Sequence, residues 1–255
     1  MPNKSLGQHW LQDRQVLSLI AEEAAITEQD TILEIGPGLG TLTSELLKRA
    51  KAVIAVEYDS ELARKLPGQF PGKNLTVIHQ DILQFDLNQL PKGYKVVANV
   101  PYYITSSIVE KLMTTPNRPS LTVLLVQKEV ACRLAAKPGD MSVLAVATQV
   151  FADVSLGKVV RRELFFPEPK VDSQVVILET LKQPRVEAED QKRFFRIVKA
   201  GFREKRKKLR NSIAAGLAIS TPEAEKLLER TGIDANNRAQ DLSIEEWLRL
   251  TKNSV

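Results

Sequence analysis

The sequence predicts an α/β fold in which a mostly parallel sheet with one antiparallel edge strand precedes a small all-helical domain. Two observations lead to this prediction. Short runs of β-branched and aliphatic residues alternate with helical patterns through most of the chain, which is typical of a parallel sheet covered on both faces. After about Lys182 the helical patterns continue with no strand between them.

Seven strands are predicted, and helix-like segments such as 42–49, 61–66 and 106–113 lie between the earlier ones. The last two strands are separated by residues 161–173, which contain Pro167 and Pro169 and have no helical pattern. We therefore expect those two strands to pair antiparallel at the edge of the sheet. The predicted strands are 31–35, 52–56, 75–78, 95–98, 121–126, 156–160 and 174–179.

The chain is predicted to divide at Gln183–Pro184 into a sheet domain, residues 1–183, and a helical domain, residues 184–255. Ser220 or Thr221 before Pro222 is a favourable helix start, and Gly232 is a typical helix end. Helical periodicity covers residues 190–202, 207–215, 222–231 and 244–251.

The composition is that of a globular protein with a modest excess of positive charge. Its 255 residues carry a formal net charge of +5, which suits a polyanionic partner but is shared by many unrelated proteins. Cys132 is the only cysteine, so no intrachain disulfide can form, and the two histidines have no zinc-type spacing. No apolar run approaches the length of a membrane span. We expect a cytoplasmic monomer that binds no metal and no membrane.

A glycine-rich loop follows the first predicted strand and opens a helix. Gly36, Gly38 and Gly40 allow a tight turn and let a ligand approach the backbone. After the next two strands, Glu57 could accept hydrogen bonds from ribose hydroxyls, and Asp81, beside Ile82, could reach an adenine amine. A nucleoside cofactor is the interpretation that these features favour when taken together.

Two alternatives compete with that interpretation. The first is a tight turn with two exposed acids, and the second is NAD as the ligand. The glycine spacing is G-x-G-x-G, which differs from the G-x-G-x-x-G of dinucleotide-binding loops. The segment from Glu34 to Gly40 instead resembles motif I of S-adenosylmethionine methyltransferases, which has the form E/D-x-G-x-G-x-G.

The fourth predicted strand ends in the tetrapeptide Asn99-Val100-Pro101-Tyr102. An adenine N6 amine is a poor nucleophile because its lone pair is delocalised into the ring. The Asn99 amide oxygen and the Val100 carbonyl could accept hydrogen bonds from it and favour a localised lone pair. Pro101 stiffens the turn, and Tyr102 offers a ring for base stacking. The alternative is a simple proline turn, but the tetrapeptide resembles motif IV of methyltransferases that act on adenine N6.

Residues 164–173 form a second aromatic segment, in which two prolines hold the chain extended. We expect Phe165 to face the other side of a flipped base and Phe166 to pack beneath the loop.

Basic residues crowd the start of the predicted helical domain. A solvated surface is the usual explanation of such a run, but lysines and arginines also bind phosphates through a salt-sensitive attraction that is independent of sequence. Beside a site for adenine modification, RNA binding is the favoured interpretation. The predicted RNA-binding residues are Arg203, Arg206, Lys207, Lys208 and Arg210.

Taken together, these motifs resemble the KsgA (RsmA) family of small-subunit rRNA adenine N6,N6-dimethyltransferases. The opening segment from Lys4 to Leu11 is similar to the family's K-x-x-G-Q-[NH]-F-L, and Phe165 to Ser173 is similar to its F-x-P-x-P-K-V-D-S. The segment from Gly201 to Ser212 is similar to its R-R-K-x-L-R-N-S. The resemblance spans nearly the whole chain.

The resemblance implies a Rossmann-like methyltransferase domain, S-adenosylmethionine as methyl donor, and two adjacent adenines near the 3′ end of 16S rRNA as targets. It also implies association with the assembling small ribosomal subunit. The base would be held by Asn99 to Tyr102 and by Phe165. The cofactor-binding residues that follow from the resemblance and from the loops themselves are His9, Leu11, Gly36, Gly38, Gly40, Glu57, Asp81, Ile82 and Asn99.

Three positions depart from the family pattern. Trp10 replaces the usual Phe, Tyr103 stands where Asn is frequent, and the segment from Lys137 to Val143 lacks a Tyr-Gly pair. None of the three touches the predicted chemistry, but the last two could alter how RNA is held.

Two further functions remain as alternatives. The Erm methyltransferases perform the same chemistry on large-subunit rRNA, although residues 207–212 and 231–234 favour the KsgA family. A non-catalytic ribosome-assembly factor could keep the same fold, although the intact Asn99, Pro101 and Tyr102 argue for a catalyst.

Overall fold

The computed structural model describes residues 8–254, so Lys4 to Gly7 of the opening motif lie outside the described residues. The described chain forms two compact units. The first comprises the residues up to Cys132 together with Asp153–Thr180, and the second comprises Arg133–Ala152 together with the residues from Leu181 onward.

The strands of the first unit are β1 (Trp10–Leu11), β2 (Thr31–Ile35), β3 (Ala52–Glu57), β4 (Leu75–His79), β5 (Lys95–Asn99), β6 (Leu121–Gln127), β7 (Ala152–Val160), β8 (Phe165–Phe166) and β9 (Ser173–Thr180). Its helices are α1 (Arg14–Glu23), α2 (Thr41–Leu46), α3 (Ser60–Gln69) and α4 (Thr105–Thr114). A further helix, α5 (Lys128–Leu134), follows β6. All seven predicted strands are present. Half of their predicted ends are correct and the others differ by one residue, except that β7 begins four residues earlier than predicted.

Seven strands form one sheet in the order β4-β3-β2-β5-β6-β9-β7. The pairs β2–β3, β2–β5, β3–β4 and β5–β6 are parallel, whereas β9 runs antiparallel to β6. The predicted fold class is confirmed, with one difference. The antiparallel strand β9 lies one position inside the edge, because β7 takes the outermost place.

The strand order fixes where a ligand can bind. The chain builds outward from β2 through β3 to β4, then crosses to the other side of β2 and continues with β5 and β6. The carboxyl ends of β2 and β5 therefore diverge into loops on opposite sides of a crevice. In open α/β sheets this reversal point is where ligands bind.

The core of the first unit lies between the sheet and its helices. Helices α1 and α2 bury one apolar face each, because their apolar side chains recur with helical spacing: Val16, Leu17 and Ile20 in α1, Leu42 and Leu46 in α2. Each such side chain contributes about 1.5–3 kcal/mol when it leaves water. This packing holds the start of α2, and with it the glycine-rich loop, against the sheet.

A short antiparallel ribbon joins the N-terminal segment to the loop that follows β7. In it, β1 pairs with β8, with Trp10 opposite Phe166 and Leu11 opposite Phe165. Strands of two residues show no alternating pattern, so the sequence did not predict them. A hydrogen bond of 3.0 Å from the Thr41 hydroxyl to the Leu11 carbonyl fastens the ribbon to α2.

The second unit is helical and contains α6 (Val143–Gln149), α7 (Gln191–Phe202), α8 (Leu209–Leu217), α9 (Thr221–Arg230) and α10 (Ile244–Asn253). Ser220 caps α9 in a capping box, and Gly232 beyond its end has a φ of +69°, in agreement with the predicted helix limits. The unit differs from the predicted contiguous domain because it includes Arg133–Ala152. These residues join it through backbone hydrogen bonds from Leu181 to Phe151 and from Arg185 to Val150.

Candidate active site

A cavity of about 310 Å³ opens in the first unit at the carboxyl ends of β2, β3, β4 and β5. Its volume is within the usual range of small-molecule sites. The predicted site residues that line it are His9, Leu11, Gly36, Gly38, Glu57, Asp81, Ile82, Asn99, Val100, Pro101 and Tyr102. Two predicted residues of the same unit, Gly40 and Phe165, are not part of its wall.

The three glycines of the loop all have positive φ, but they serve different purposes. Gly36 and Gly38, with φ of +65° and +58°, line the cavity. At Gly40, with φ of +77°, a Cβ atom would lie 2.7 Å from the Leu66 Cδ1 atom and 3.0 Å from the Phe70 ring. The need for glycine at position 40 therefore comes from the turn and from packing against α3 and Phe70, and cofactor contact at Gly40 stays a prediction.

Glu57 closes β3 with its carboxylate held in place. One oxygen accepts a hydrogen bond of 3.0 Å from the Gly38 amide, and the other accepts one of 2.8 Å from the Asp59 amide. Burial raises the pKa of this carboxyl, and the two amides oppose that shift. Because a carboxylate oxygen has two lone pairs, each oxygen can still accept a hydroxyl donor from the cavity.

Glu34, at the end of β2, is buried with 1% of its surface exposed, and it also lines the cavity. Its Oε2 atom has no hydrogen-bond partner within residues 8–254. Burial raises the pKa of Glu34 to about 8, Thr43 opposes the shift, and the Glu57 charge adds to it. A buried, unpaired acceptor on a cavity wall is suited to a ligand that brings a donor or a positive charge.

Three acidic side chains, Glu34, Glu57 and Asp81, line the cavity, whereas no lysine or arginine of the described chain does. Burial keeps Glu34 protonated near neutral pH, so in the unbound protein it adds no charge until a cation binds beside it. Such a site attracts a ligand with a sulfonium and an ammonium group, and it disfavours the negative pyrophosphate of NAD. The chemistry of these residues therefore fits S-adenosylmethionine.

Asn99 has a defined orientation at the end of β5. Its Nδ2 atom donates a hydrogen bond of 3.1 Å to the His9 carbonyl. No residue between 8 and 254 donates to its Oδ1 atom, which leaves that oxygen as a free acceptor on a side chain that lines the cavity. Because the Nδ2 atom is engaged by the His9 carbonyl, the oxygen is the amide atom left for a donor such as an amine.

The next two residues complete the turn. Pro101 accepts hydrogen bonds of 3.3 Å at its carbonyl from the Ile104 amide and from the Thr105 hydroxyl. The Val100 carbonyl receives no hydrogen bond from the described chain. Two carbonyl-type acceptors, at Asn99 and Val100, are thus left unpaired in adjacent residues of one cavity wall.

Tyr102 is held at both ends of its side chain. Its hydroxyl is 2.7 Å from the Ser173 Oγ atom of β9, and its ring stacks on the His9 ring with 5.5 Å between centroids. Burial is the main cause of a raised pKa at Tyr102. The His9 Nδ1 atom donates a hydrogen bond of 2.6 Å to the Pro167 carbonyl, which fixes the position of the imidazole.

The expectation for the two phenylalanines of β8 requires a correction. Phe165 is only 4% exposed and belongs to the apolar core, whereas Phe166 is 60% exposed. Successive side chains of a strand point in opposite directions, and the pairing with Leu11 turns Phe165 inward. In this structure Phe165 does not present its ring to the cavity, so its role in holding the base stays a prediction.

The predicted RNA-binding residues lie in the second unit, between α7 and the first turn of α8. The side chains of Arg206 and Lys207 are exposed and have no partner within residues 8–254. Lys208 and Arg210 both donate to the Asn236 amide oxygen, at 2.8 and 3.3 Å, and Arg210 also forms an ion pair of 3.1 Å with Glu225. Arg203 donates to the Ala215 carbonyl.

Several residues of the cavity wall were absent from the predicted site. Trp10 lies beside the glycine loop, where a Cβ atom on Gly38 would be 3.3 Å from its indole nitrogen. Tyr58, Leu83 and Tyr103 also line the cavity and are exposed. Each of these three directly follows a predicted site residue in the sequence. That adjacency would have been enough to predict that they lie at the same site.

Within residues 8–254, no cluster of three or more potential ligand side chains could hold a metal ion. In the same range, no helix is long and apolar enough to cross a membrane.

A sheet with this strand order, a glycine-rich loop after its first long strand and an acid-lined cavity at its reversal point define an α/β S-adenosylmethionine-dependent methyltransferase. A family model described as ribosomal RNA adenine dimethylase matches residues 2–254. The chain belongs to this family.

Curated relatives match along nearly the whole chain. The Ribosomal RNA small subunit methyltransferase A of Clostridium acetobutylicum is 43% identical over 256 residues, which cover 98% of this chain and 92% of that protein. The protein of the same name from Dehalococcoides mccartyi is 43% identical over 251 residues, which cover 97% and 86%.

Solved structures show the same architecture. A dimethyladenosine transferase from Plasmodium falciparum has a TM-score of 0.81 and 27% identity, over 94% of this chain and 95% of that one. The 23S rRNA methyltransferase ErmE has a TM-score of 0.77 and 30% identity, over 96% and 98%.

Proposed function

We propose that the protein transfers methyl groups from S-adenosylmethionine to the N6 amines of two adjacent adenines near the 3′ end of 16S rRNA, within the assembling small ribosomal subunit. The names of its curated relatives support the small subunit as the substrate. The proposed chemistry is supported by two hydrogen-bond acceptors that have no donor, Asn99 Oδ1 and the Val100 carbonyl. They belong to adjacent residues that line an acidic cavity.

The proposed roles follow from these contacts. S-adenosylmethionine, when bound, supplies a methyl group on a good leaving group. Asn99 Oδ1 and the Val100 carbonyl accept the two N6 hydrogens, which favours a nitrogen whose lone pair is localised and points at the methyl carbon. Because the nitrogen becomes acidic once it is alkylated, its proton can leave to water, and no side-chain base of matched pKa is needed.

The proposed cofactor contacts come from the residues that line the cavity. Glu57 would accept the ribose hydroxyls, and Asp81 the adenine amine of the cofactor. His9, Leu11, Gly36, Gly38, Ile82 and Asn99 would surround the remainder, and Gly40 would act by shaping the loop.

We also propose that the basic segment of the second unit binds rRNA phosphates, with Arg206 and Lys207 contributing most because their charges are unpaired. Each alanine substitution should lower the slope of log affinity against log salt by about one. Lys252→Ala, which removes an exposed lysine in the last turn of α10, is the matched control and should leave the slope unchanged.

The decisive experiment offers purified unmethylated small and large subunits to the protein with labelled S-adenosylmethionine. Label in dimethyladenosine of the small subunit is expected, and label only in the large subunit would instead assign the chemistry of the Erm enzymes. Asn99→Ala should abolish methylation while binding to the subunit survives. Wild-type binding without any methylation would indicate an assembly factor, and a wild-type rate for Asn99→Ala would refute the proposed amine contacts.

The cellular location and the oligomeric state are also proposals. We propose a cytoplasmic location, because the curated relatives are named for the small ribosomal subunit, and a monomer, because all cavity-lining residues belong to one unit of a single chain. The molar mass in solution, with and without subunits, tests the second point.

A further inference from the structure

Unlike its neighbour Tyr102, Tyr103 makes no contact that would explain an aromatic side chain at its position. The two residues start a 3₁₀ turn, Tyr102–Ile104, in which successive side chains point about 120° apart. Tyr102 is half-buried and hydrogen-bonded to Ser173, whereas Tyr103 is 65% exposed. Within residues 8–254, the Tyr103 side chain makes no hydrogen bond and no ring contact. Packing therefore does not account for an aromatic residue here.

The position of Tyr103 links it to the substrate. It lines the same cavity as Asn99, Val100 and Tyr102, and its high exposure puts it at the cavity mouth. A nucleic acid that delivers a base to Asn99 therefore enters a cavity that this exposed ring lines. An aromatic side chain on such a path is a platform for any base, because every base has a π-face.

We propose that Tyr103 stacks on the nucleotide next to the target adenine and so sets the affinity for the RNA, an inference that rests on the proposed function. When a base leaves its stack, its neighbour loses a stacking partner and exposes an apolar face to water. The Tyr103 ring restores that contact. For one of the two targets this neighbour would be the other adenine of the adjacent pair, and a purine offers a large stacking surface.

Substitutions at position 103 separate stacking from bulk. Tyr103→Leu keeps an apolar side chain without a π-face, and Tyr103→Phe keeps the ring. We expect Tyr103→Leu to raise KM for the small subunit about 5- to 100-fold, with kcat and the affinity for S-adenosylmethionine little changed. Tyr103→Phe should retain the wild-type KM. Unchanged cofactor affinity by calorimetry shows that the variants are folded.

A direct test uses small subunits whose rRNA carries 2-aminopurine at one of the two adjacent adenines. This analogue lacks the N6 amine, so it cannot itself be the target, and its fluorescence falls when it stacks on a ring. In the complexes with wild type and Tyr103→Phe the fluorescence should stay low, and in the complex with Tyr103→Leu it should be higher, because the flipped target no longer quenches its neighbour and no ring replaces it.

Equal fluorescence and equal KM for all three proteins would overturn the inference about Tyr103. Absence of small-subunit methylation by the wild type would instead overturn the proposed function, so the two failures are distinguishable.

Discussion

The His9 imidazole lies stacked on the Tyr102 ring, with 5.5 Å between centroids and 22° between planes. It therefore covers one face of the Tyr102 ring and closes that face to a stacked base. The imidazole is held there by its hydrogen bond to the Pro167 carbonyl, while the His9 carbonyl holds the Asn99 amide. The His9 backbone thus orients the Asn99 amide, and the His9 side chain covers one face of Tyr102.

This arrangement predicts that His9 must leave Tyr102 before an adenine can stack on the covered face. His9→Ala removes the ring contact, so less free energy is needed to expose Tyr102. We expect the affinity for the small subunit, measured at saturating S-adenosylhomocysteine, to increase about 2- to 10-fold, which is the usual value of an aromatic pair. Weaker binding by the variant would mean that the imidazole is itself part of the RNA site.

The Tyr102 hydroxyl predicts a measurable coupling to Ser173. Their oxygens are 2.7 Å apart, and Ser173 is fully buried. Tyr102→Phe and Ser173→Ala should each lower the free energy of unfolding by about 1 kcal/mol, because each leaves a buried partner unsatisfied. The double variant should lose less than the sum, as measured by urea denaturation of all four proteins. Strict additivity would show that the hydrogen bond contributes nothing.

The sheet could be predicted because its strands are long enough to show a pattern. Parallel strands such as β3 and β6 contain uninterrupted apolar runs, residues 52–56 and 123–126, since helices cover both faces of the sheet. The same ends of β2, β3, β4 and β5 then had to converge, so Gly36, Glu57, Asp81 and Asn99 could be assigned to one site from the sequence.

What the sequence could not supply depends on contacts between distant segments. The two-residue pairing of β1 with β8 decides that Phe165 points inward and Phe166 outward, and nothing within either segment encodes it. The assignment of Arg133–Ala152 to the helical unit likewise depends on hydrogen bonds to residues beyond Thr180. His9 stacks on Tyr102 although the two residues lie more than ninety positions apart in the sequence. A local hydrophobic pattern cannot predict such a contact.

A substitution at Gly40 tests whether glycine is needed there for the shape and packing of the loop. Gly40→Ala places a Cβ 2.7 Å from the Leu66 Cδ1 atom at a φ of +77°. We expect the free energy of unfolding to fall by about 1–3 kcal/mol from strain and overpacking. Gly68→Ala, where no atom lies within 4 Å of the added Cβ, is the matched control and should be neutral or slightly stabilising. Equal stability of the two variants would contradict the packing role of Gly40.

Glu34 predicts a pH dependence of stability in the unbound protein. Its folded pKa of about 8 lies above the ordinary glutamate value of 4.5, so the folded state binds a proton that the unfolded state has released. Between these two pH values the free energy of unfolding should therefore fall as pH rises, by at most about 1.4 kcal/mol per pH unit, and flatten above pH 8. Glu34→Gln, which mimics the protonated carboxyl, should remove this slope, whereas Glu57→Gln should weaken it by removing a neighbouring charge.

The same carboxyl predicts that cofactor binding releases a proton. Glu34 lines the cavity with an unpaired oxygen, and a sulfonium or ammonium charge nearby favours its ionised form. The affinity for S-adenosylmethionine should therefore rise with pH from 6 to 8, and more steeply than the affinity for S-adenosylhomocysteine, which lacks the sulfonium charge. Titration calorimetry in two buffers of different ionisation enthalpy measures the released proton. An identical enthalpy in both buffers, for wild type and for Glu34→Gln alike, would show that Glu34 does not change its charge when the cofactor binds.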